Sequence, residues 1–421
     1  MRAGDRAVIT GLGVVSSAGM GEKALWGTAL SGESRIGPIS LFDASSYPVQ
    51  VAGEVPDFDV ATYLDKGRAA QMDRWSYLGM AACELAIDSA GLPATSADPY
   101  GAGVCLASSS GGNIFGQHEL QRLWSDERRT VSAYQSIAWF YAATVGQASI
   151  RHQYKFQSSV LVSEAAGAID SVAQAARSVR RGGQVVLAGA TECPLSPYAL
   201  VCHLEGGLLA PIGLDTRGYA AYTDDACGHV LGEGGAVFTV EPHGRAAARG
   251  ADVRAEIAGW AATHDGLPWM AEEVGHDHLA RAIELALGRA GLEAGDVAAV
   301  VPDAVGVARF DRAEARALQA VGVTAPVSSI KPAIGRGTQG AAAIDIAMAV
   351  LMLEHDTVPA FAGAPGPDAG FGLDLATQAR PLTGDHVLVV ARGRDGFNSA
   401  LVVSRGTAHG AAAGTAEQVA S

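Results

Sequence analysis

A chain of 421 residues, 48% of them hydrophobic, can bury one large core or two closely packed ones. Its formal charge of −14 argues against nucleic acid as a partner. Five cysteines without a CxxC pair exclude a disulfide framework or zinc knuckle and predict buried free thiols, and Cys202-His203 and Cys227-Gly-His229 match no common ligand spacing, so no metal or cofactor is expected.

The opening MRAGDRAVITGLG passes straight into a β-branched run, with neither the apolar core nor the cleavage site of a signal peptide. AMAVLML at 347–353 falls well short of the roughly 20 residues of a membrane span. The expectation is a cytoplasmic protein without a membrane partner. Glycines, 53 in number, punctuate alternating apolar runs and helical patterns, the layout of an α/β protein. ELAIDSAGL at 84–92 returns as ELALGRAGL at 284–292 with six identities in nine, and AID at 168–170 returns at 343–345 in the same order. Two similar halves are implied, 1–250 and 251–405, followed by a disordered small and polar tail, 406–421. The landmarks lie 84 residues apart in the first half and 59 in the second, which predicts an insertion at about 111–147.

Within that insertion the spacing predicts a helix over 113–124 on which Asn113, Gly116, Leu120 and Trp124 share an arc of roughly 80°. Gly116 costs about 1 kcal/mol there relative to alanine, so either the helix packs tightly at that point or room must be left. Trp139, Phe140 and Tyr141 are anchors for an obligate interface or for a buried core helix; the residues alone favour neither. Next comes VLVSEAAGAID at 160–170, a strand, a turn and the start of a helix, where many enzymes hold a nucleophile. The turn offers Ala165 and Ala166. Ser163 could act as a nucleophile or Glu164 as a base, although Glu164 reads better as a structural carboxylate near the helix start.

AVITGLGVVSSAG at 7–19, GHVLGEGGAV at 228–237, VSSIKPAIGRGTQGA at 327–341 and GFNSALVV at 396–403 resemble, in order, segments of thiolase-fold condensing enzymes. Within them the chain is similar to the chain-length factor of type II polyketide synthases. The resemblance spans about residues 5–405 and implies two duplicated βαβ-rich halves in a five-layered αβαβα arrangement. Active family members need a cysteine thiolate and two histidines for decarboxylative condensation. Matching the motifs puts Ala165 at the cysteine and, in VPDAVGV and SSIKPAIGR, Asp303 and Arg336 at the histidines, with Lys331 retained. Arginine stays protonated and a carboxylate accepts only, so neither replaces a histidine.

The resemblance further implies a non-catalytic subunit that pairs with an active ketosynthase and, with a malonyl-loaded acyl carrier protein, shapes the tunnel for the growing chain. Asn113, Gly116 and Leu120 fall where the family gates that tunnel, and Trp139, Phe140 and Tyr141 are assigned to the heterodimer interface. Many aromatic-branch members carry glutamine where Ala165 stands. Its absence and the polar Asn113 lean the reading toward a reduced, polyene-type product, with an aromatic poly-β-ketone as the alternative. The rival readings are an active β-ketoacyl synthase using another nucleophile and a self-associating binding protein without a synthase partner.

Overall fold

A computed structural model describes residues 6–125, 129–211, 218–266, 274–363 and 371–406. The tail from 407 onward lies outside the described residues.

In chain order the principal elements of the first half are β1 (Ala7–Ser16), α1 (Arg74–Ser89), β2 (Ala102–Ala107), α2 (Asn113–Ser125), α3 (Ala143–His152), β3 (Ser159–Leu161), α4 (Gly167–Arg180), β4 (Val185–Glu192), α5 (Pro197–Glu205) and β5 (Gly234–Pro242). The second half adds β6 (Ala255–His264), α6 (Asp277–Ala290), β7 (Ala299–Val301), α7 (Ala308–Val321), α8 (Gln339–Glu354), β8 (His386–Arg392) and β9 (Phe397–Arg405). The strands run in the order β7-β8-β9-β6-β1-β5-β4-β2-β3, with β1 and β6 joined only at Val8–Glu256 and Ile9–Ala255. That short junction makes the sheet two stacked halves.

Three apolar clusters define the layers. The central one holds α4, α8 and one face of each half-sheet; a second packs α1 and α3 on the outer face of the first half, and a third packs α6 on that of the second. The layering is therefore α, β, α, β, α, as the resemblance implied. α8 shows why its sequence demands the middle: GAAAIDIAMAVLML is buried all round, as an evenly apolar helix must be. The one charge within that run, Asp345, is fully buried against Lys331.

The repeated stretches occupy matching places. ELAIDSAGL lies on and just after α1, ELALGRAGL on and just after α6, each in an outer layer. A Cβ at Gly11 of β1 would run into the Ala86 carbonyl oxygen, and one at Gly259 of β6 into that of Ala286. The glycines let helix backbone lie on strand backbone, and overpacking here would cost about 1–3 kcal/mol. AID lies in the first half of α4 and of α8, the two helices of the central layer.

Among the described residues no helix is long and apolar enough to cross a membrane. Of the five thiols, Cys83, Cys105 and Cys193 are buried as expected, whereas Cys202 and Cys227 are exposed. α5, which carries Cys202, turns that face to solvent, and Cys227 sits in a loop, so general burial of free cysteine fails for both.

Candidate functional site: the elbow before α4 and the flank of α2

β3 ends at Leu161, and a short 3-10 turn, Glu164–Ala166, feeds directly into α4. This is the strand, turn and helix that VLVSEAAGAID predicts. Glu164 holds φ at +47°, a left-handed conformation unusual for a residue with a side chain. At the start of the other central helix, Thr338 holds φ at +45°. Such residues cost about 1–3 kcal/mol and concentrate where a turn must present a functional group. The group presented at this turn is a methyl: Ala165 is fully buried.

Ser163 donates from Oγ to Asp170 Oδ2 (2.6 Å), and Ser399 of β9 donates to Asp170 Oδ1 (2.6 Å). Ser163 thus anchors the turn to its own helix. Glu164 does not serve the helix start, as its position suggested; its Oε2 accepts from the Arg394 backbone N–H (3.0 Å) and its Oε1 lies 3.8 Å from Arg336. With φ positive, the side chain points across to the second half instead of back over α4.

Asp303 and Arg336 meet. Arg336 Nη2 donates to both Asp303 oxygens at 3.0 Å, and each residue is about 2–3% exposed. Burial alone would weaken the guanidinium charge, but Asp303 and then Glu164 more than offset it, so Arg336 sits above its ordinary pKa. The Asp303 loop is fixed from behind by α7: Glu314 accepts from the backbone N–H groups of Asp303 (2.7 Å) and Ala304 (3.0 Å), and Asp311 from those of Tyr222 (3.0 Å) and Gly306 (3.1 Å). Burial pushes Asp311 up to about 8, its backbone donors and the neighbouring Glu314 adding smaller, opposed effects. Neither α7 carboxylate was singled out from sequence, because ARFDRAEARALQAV reads as an ordinary amphipathic helix.

Lys331 bonds Asp345 and also donates to the carbonyl of Pro302 (2.7 Å), the residue just before Asp303. Burial lifts Asp345 to about 7 against the pull of Lys331. Its role here is to tie α8 to the strand end that carries Asp303.

A cavity of about 470 Å³ opens over this cluster, lined by Ser109, Ser110, Glu164, Cys202, His203, His229, Arg336, Thr338 and Arg394 among others. Burial, with Arg394 and Arg336 nearby, holds His203 down to about 4, and burial beside Arg336 keeps His229 neutral as well. Two histidines therefore line this space, but neither sits at a position that the motif match assigns to a catalytic histidine.

The second region is the flank built by the insertion. α2 forms as the periodicity predicts and ends at Ser125; Asn113 and Gly116 are buried, whereas Leu120 is 48% exposed. A Cβ at Gly116 would lie 2.7 Å from Trp139 Cδ1, so within this chain the glycine makes room for an indole. The opposite face of α2 borders a separate cavity of about 490 Å³ lined by Ile114, Phe115 and His118 with Phe42, Phe58, Met72 and Arg74. That space was not foreseen. Trp139, Phe140 and Tyr141 are 49%, 45% and 39% exposed, so the core-helix alternative fails. Leu120, Trp124, Tyr134 and Ile137, from the same stretch of chain, are exposed as well.

The chain belongs to the beta-ketoacyl synthase family: models of its N-terminal and C-terminal domains match residues 5–246 and 254–364. Within that family it is a chain-length factor, the ketosynthase beta type of type II polyketide synthases. A polyketide beta-ketoacyl synthase 2 of Streptomyces halstedii is 46% identical over 97% of this chain and 99% of its own, against 31% for the synthase 1 of the same organism, over 95% and 98%. The tetracenomycin ketoacyl synthase beta subunit of Streptomyces glaucescens is 44% identical over 94% and 98%. Among solved structures the ishigamide ketosynthase/chain length factor shares the fold with a TM-score of 0.87 at 23% identity, covering 96% of this chain and 99% of that one.

Proposed function

We propose that this chain is a catalytically silent chain-length factor that pairs with an active ketosynthase and shapes the tunnel in which malonyl units, delivered on an acyl carrier protein, are iteratively condensed. One observation carries the reading: Asp303 and Arg336, at the two histidine positions, are bonded to each other in the interior while the nucleophile position is a methyl. Decarboxylative condensation needs a thiolate and donors free to meet an enolate and an oxyanion. A guanidinium engaged by two carboxylates has its charge already answered, and the buried Asp303 adds repulsion where negative charge would develop.

A related solved structure is of a type II acyl carrier protein in complex with its ketosynthase, and such a partner fits the present chain. The exposed aromatic residues Trp139, Phe140 and Tyr141 supply the interface, and Asn113, Gly116 and Leu120 line the chain-length tunnel once the partner closes over them. Leu120, half in water in the single chain, gains its neighbours in that pairing. The halves divide near residue 250. The product reading leans to a reduced, polyene-type chain, since Ala165 offers no amide and the buried Asn113 suits a differently shaped tunnel; an aromatic poly-β-ketone is the alternative.

Co-expression with an active ketosynthase of a type II system tests the pairing, with size exclusion and product analysis as readouts. A one-to-one mixed dimer whose product depends on both chains is expected. Homodimers with no mixed species would favour the self-associating rival, and a conjugated polyene or a cyclised aromatic product separates the two product readings.

A further inference from the structure

Most arginines of this acidic chain are neutralised in place: Arg74 by Glu233, Arg254 by Glu22 and Glu354, Arg392 by Asp265, Arg405 by Asp356 and Asp385. Four that lie together are not. Arg177 donates from Nε to the neutral Gln174 (2.9 Å), Arg180 stands over the Trp260 ring at 4.7 Å, and Arg289 donates to the Trp260 carbonyl. Arg181 completes the group: burial lowers the Arg177 pKa most, Asp170 and then Cys105 pull it partly back, and the positive charges of Arg181 and Arg289 add to the lowering. Among the described residues no carboxylate comes within ion-pair distance of any of the four.

Helix dipoles favour a cation or two at a C-terminus, and Arg177 and Arg180 end α4 as Arg289 ends α6. That accounts for each terminus separately. It does not account for two helix ends converging their arginines on one corner of a chain with net charge −14.

The corner has an informative neighbour. Ser178 of α4 donates to Gln157 (3.3 Å), just before β3, and Ser159, the first residue of β3, bonds Cys105, which also feels the Arg177 charge. β3 is the outermost strand of the sheet, half-buried along its length. An edge strand with unused backbone donors and acceptors invites another chain. The arginines flank that invitation.

We propose that Arg177, Arg180, Arg181 and Arg289 form an electrostatic selector beside the β3 edge, which accepts a ketosynthase partner bearing carboxylates and repels a second copy of this chain. A twofold pairing of identical chains through this flank brings both basic corners to one interface, where like charges oppose each other. Discrimination of this kind needs a repulsive element as well as an attractive one, and the same four side chains supply both. The inference rests on the heterodimer reading and adds to it the basis of partner choice.

The test compares the unaltered chain with the variant R177Q/R180Q/R181Q/R289Q, each purified with and without the ketosynthase, by mass photometry at 50 and 500 mM NaCl. The expected result is a mixed-dimer Kd raised at least tenfold in the variant, a steeper loss of affinity with salt for the unaltered chain, and more self-association of the variant alone. Circular dichroism checks folding, and R180Q/R181Q, confined to two exposed side chains, repeats the comparison if the fourfold variant is perturbed. An unchanged Kd with unchanged self-association overturns the selector and leaves the heterodimer standing. No mixed species for the unaltered chain at either salt concentration overturns the heterodimer reading itself, and the selector with it.

Discussion

The elbow before α4 and the flank of α2 solve opposite problems with their polar and apolar groups. At the elbow the chain satisfies its own charges: Arg336 is held by Asp303 and Glu164, Asp170 by Ser163 and Ser399, and the Asp303 loop by Glu314. On the flank it leaves Trp124, Trp139 and Phe140 between 45% and 75% exposed. A site that must react keeps polar groups available, and a site that must associate keeps apolar surface available. This chain pairs its charges at the elbow and leaves aromatic surface on the flank of α2, the contrast on which the proposed division of chemistry between this chain and a partner rests.

The largest effect expected from breaking that contrast is at the buried pair. Arg336→Met leaves Asp303 in the interior without its counter-ion and should cost about 3–5 kcal/mol in denaturant unfolding, while adding Asp303→Asn to it should recover most of the loss. Equal losses in the single and double variants would show that the pair is not the linchpin. On the flank the reverse holds. Replacing Trp139, Phe140 and Tyr141 by alanine should leave unfolding of the isolated chain within about 0.5 kcal/mol, yet weaken ketosynthase binding by at least ~2 kcal/mol, roughly 30-fold. A loss of stability with intact binding would return these side chains to a core role.

A smaller effect sharpens the interior side. Asp311 is raised to about 8 in the folded chain, so the folded state holds a proton that the unfolded state has released. A group with its folded pKa raised loses its stabilising contribution as pH rises from the ordinary carboxylate range through that value. The stability of the unaltered chain, measured against Asp311→Asn, should therefore fall by up to about 1.4 kcal/mol per pH unit between pH 5 and 8. A flat difference across that range would contradict the assignment. The subtlest test is on α2. Gly116→Trp displaces the Trp139 ring and fills the space beside it, and should shorten the product while the mixed dimer still condenses; unchanged product length with the dimer intact would take Gly116 out of the tunnel.

Much of the framework was legible beforehand because it rests on local signals. The repeated ELAxxxAGL marked the two outer helices, and the periodicity after Gly112 marked α2 to within a residue. VLVSEAAGAID marked the elbow, and the motif matches picked out Asp303 and Arg336 as departures. Their contact was not legible: two residues 33 apart with opposite charges meet only because Lys331 and Glu314 fix the loops that carry them. Gly116 could not be matched to Trp139, 23 positions later, since no single sequence period links the two. Glu164 was misplaced because its positive φ redirects the side chain, and a backbone conformation of that kind leaves no mark on a residue other than glycine or asparagine.

Intact-mass analysis of the co-purified mixed dimer after incubation with malonyl- and acyl-loaded carrier protein tests the central claim most directly. The account predicts that acyl mass appears on the ketosynthase chain alone, and that this chain, with a methyl at the nucleophile position, keeps its unmodified mass. A stable acyl adduct on the unaltered chain would contradict it.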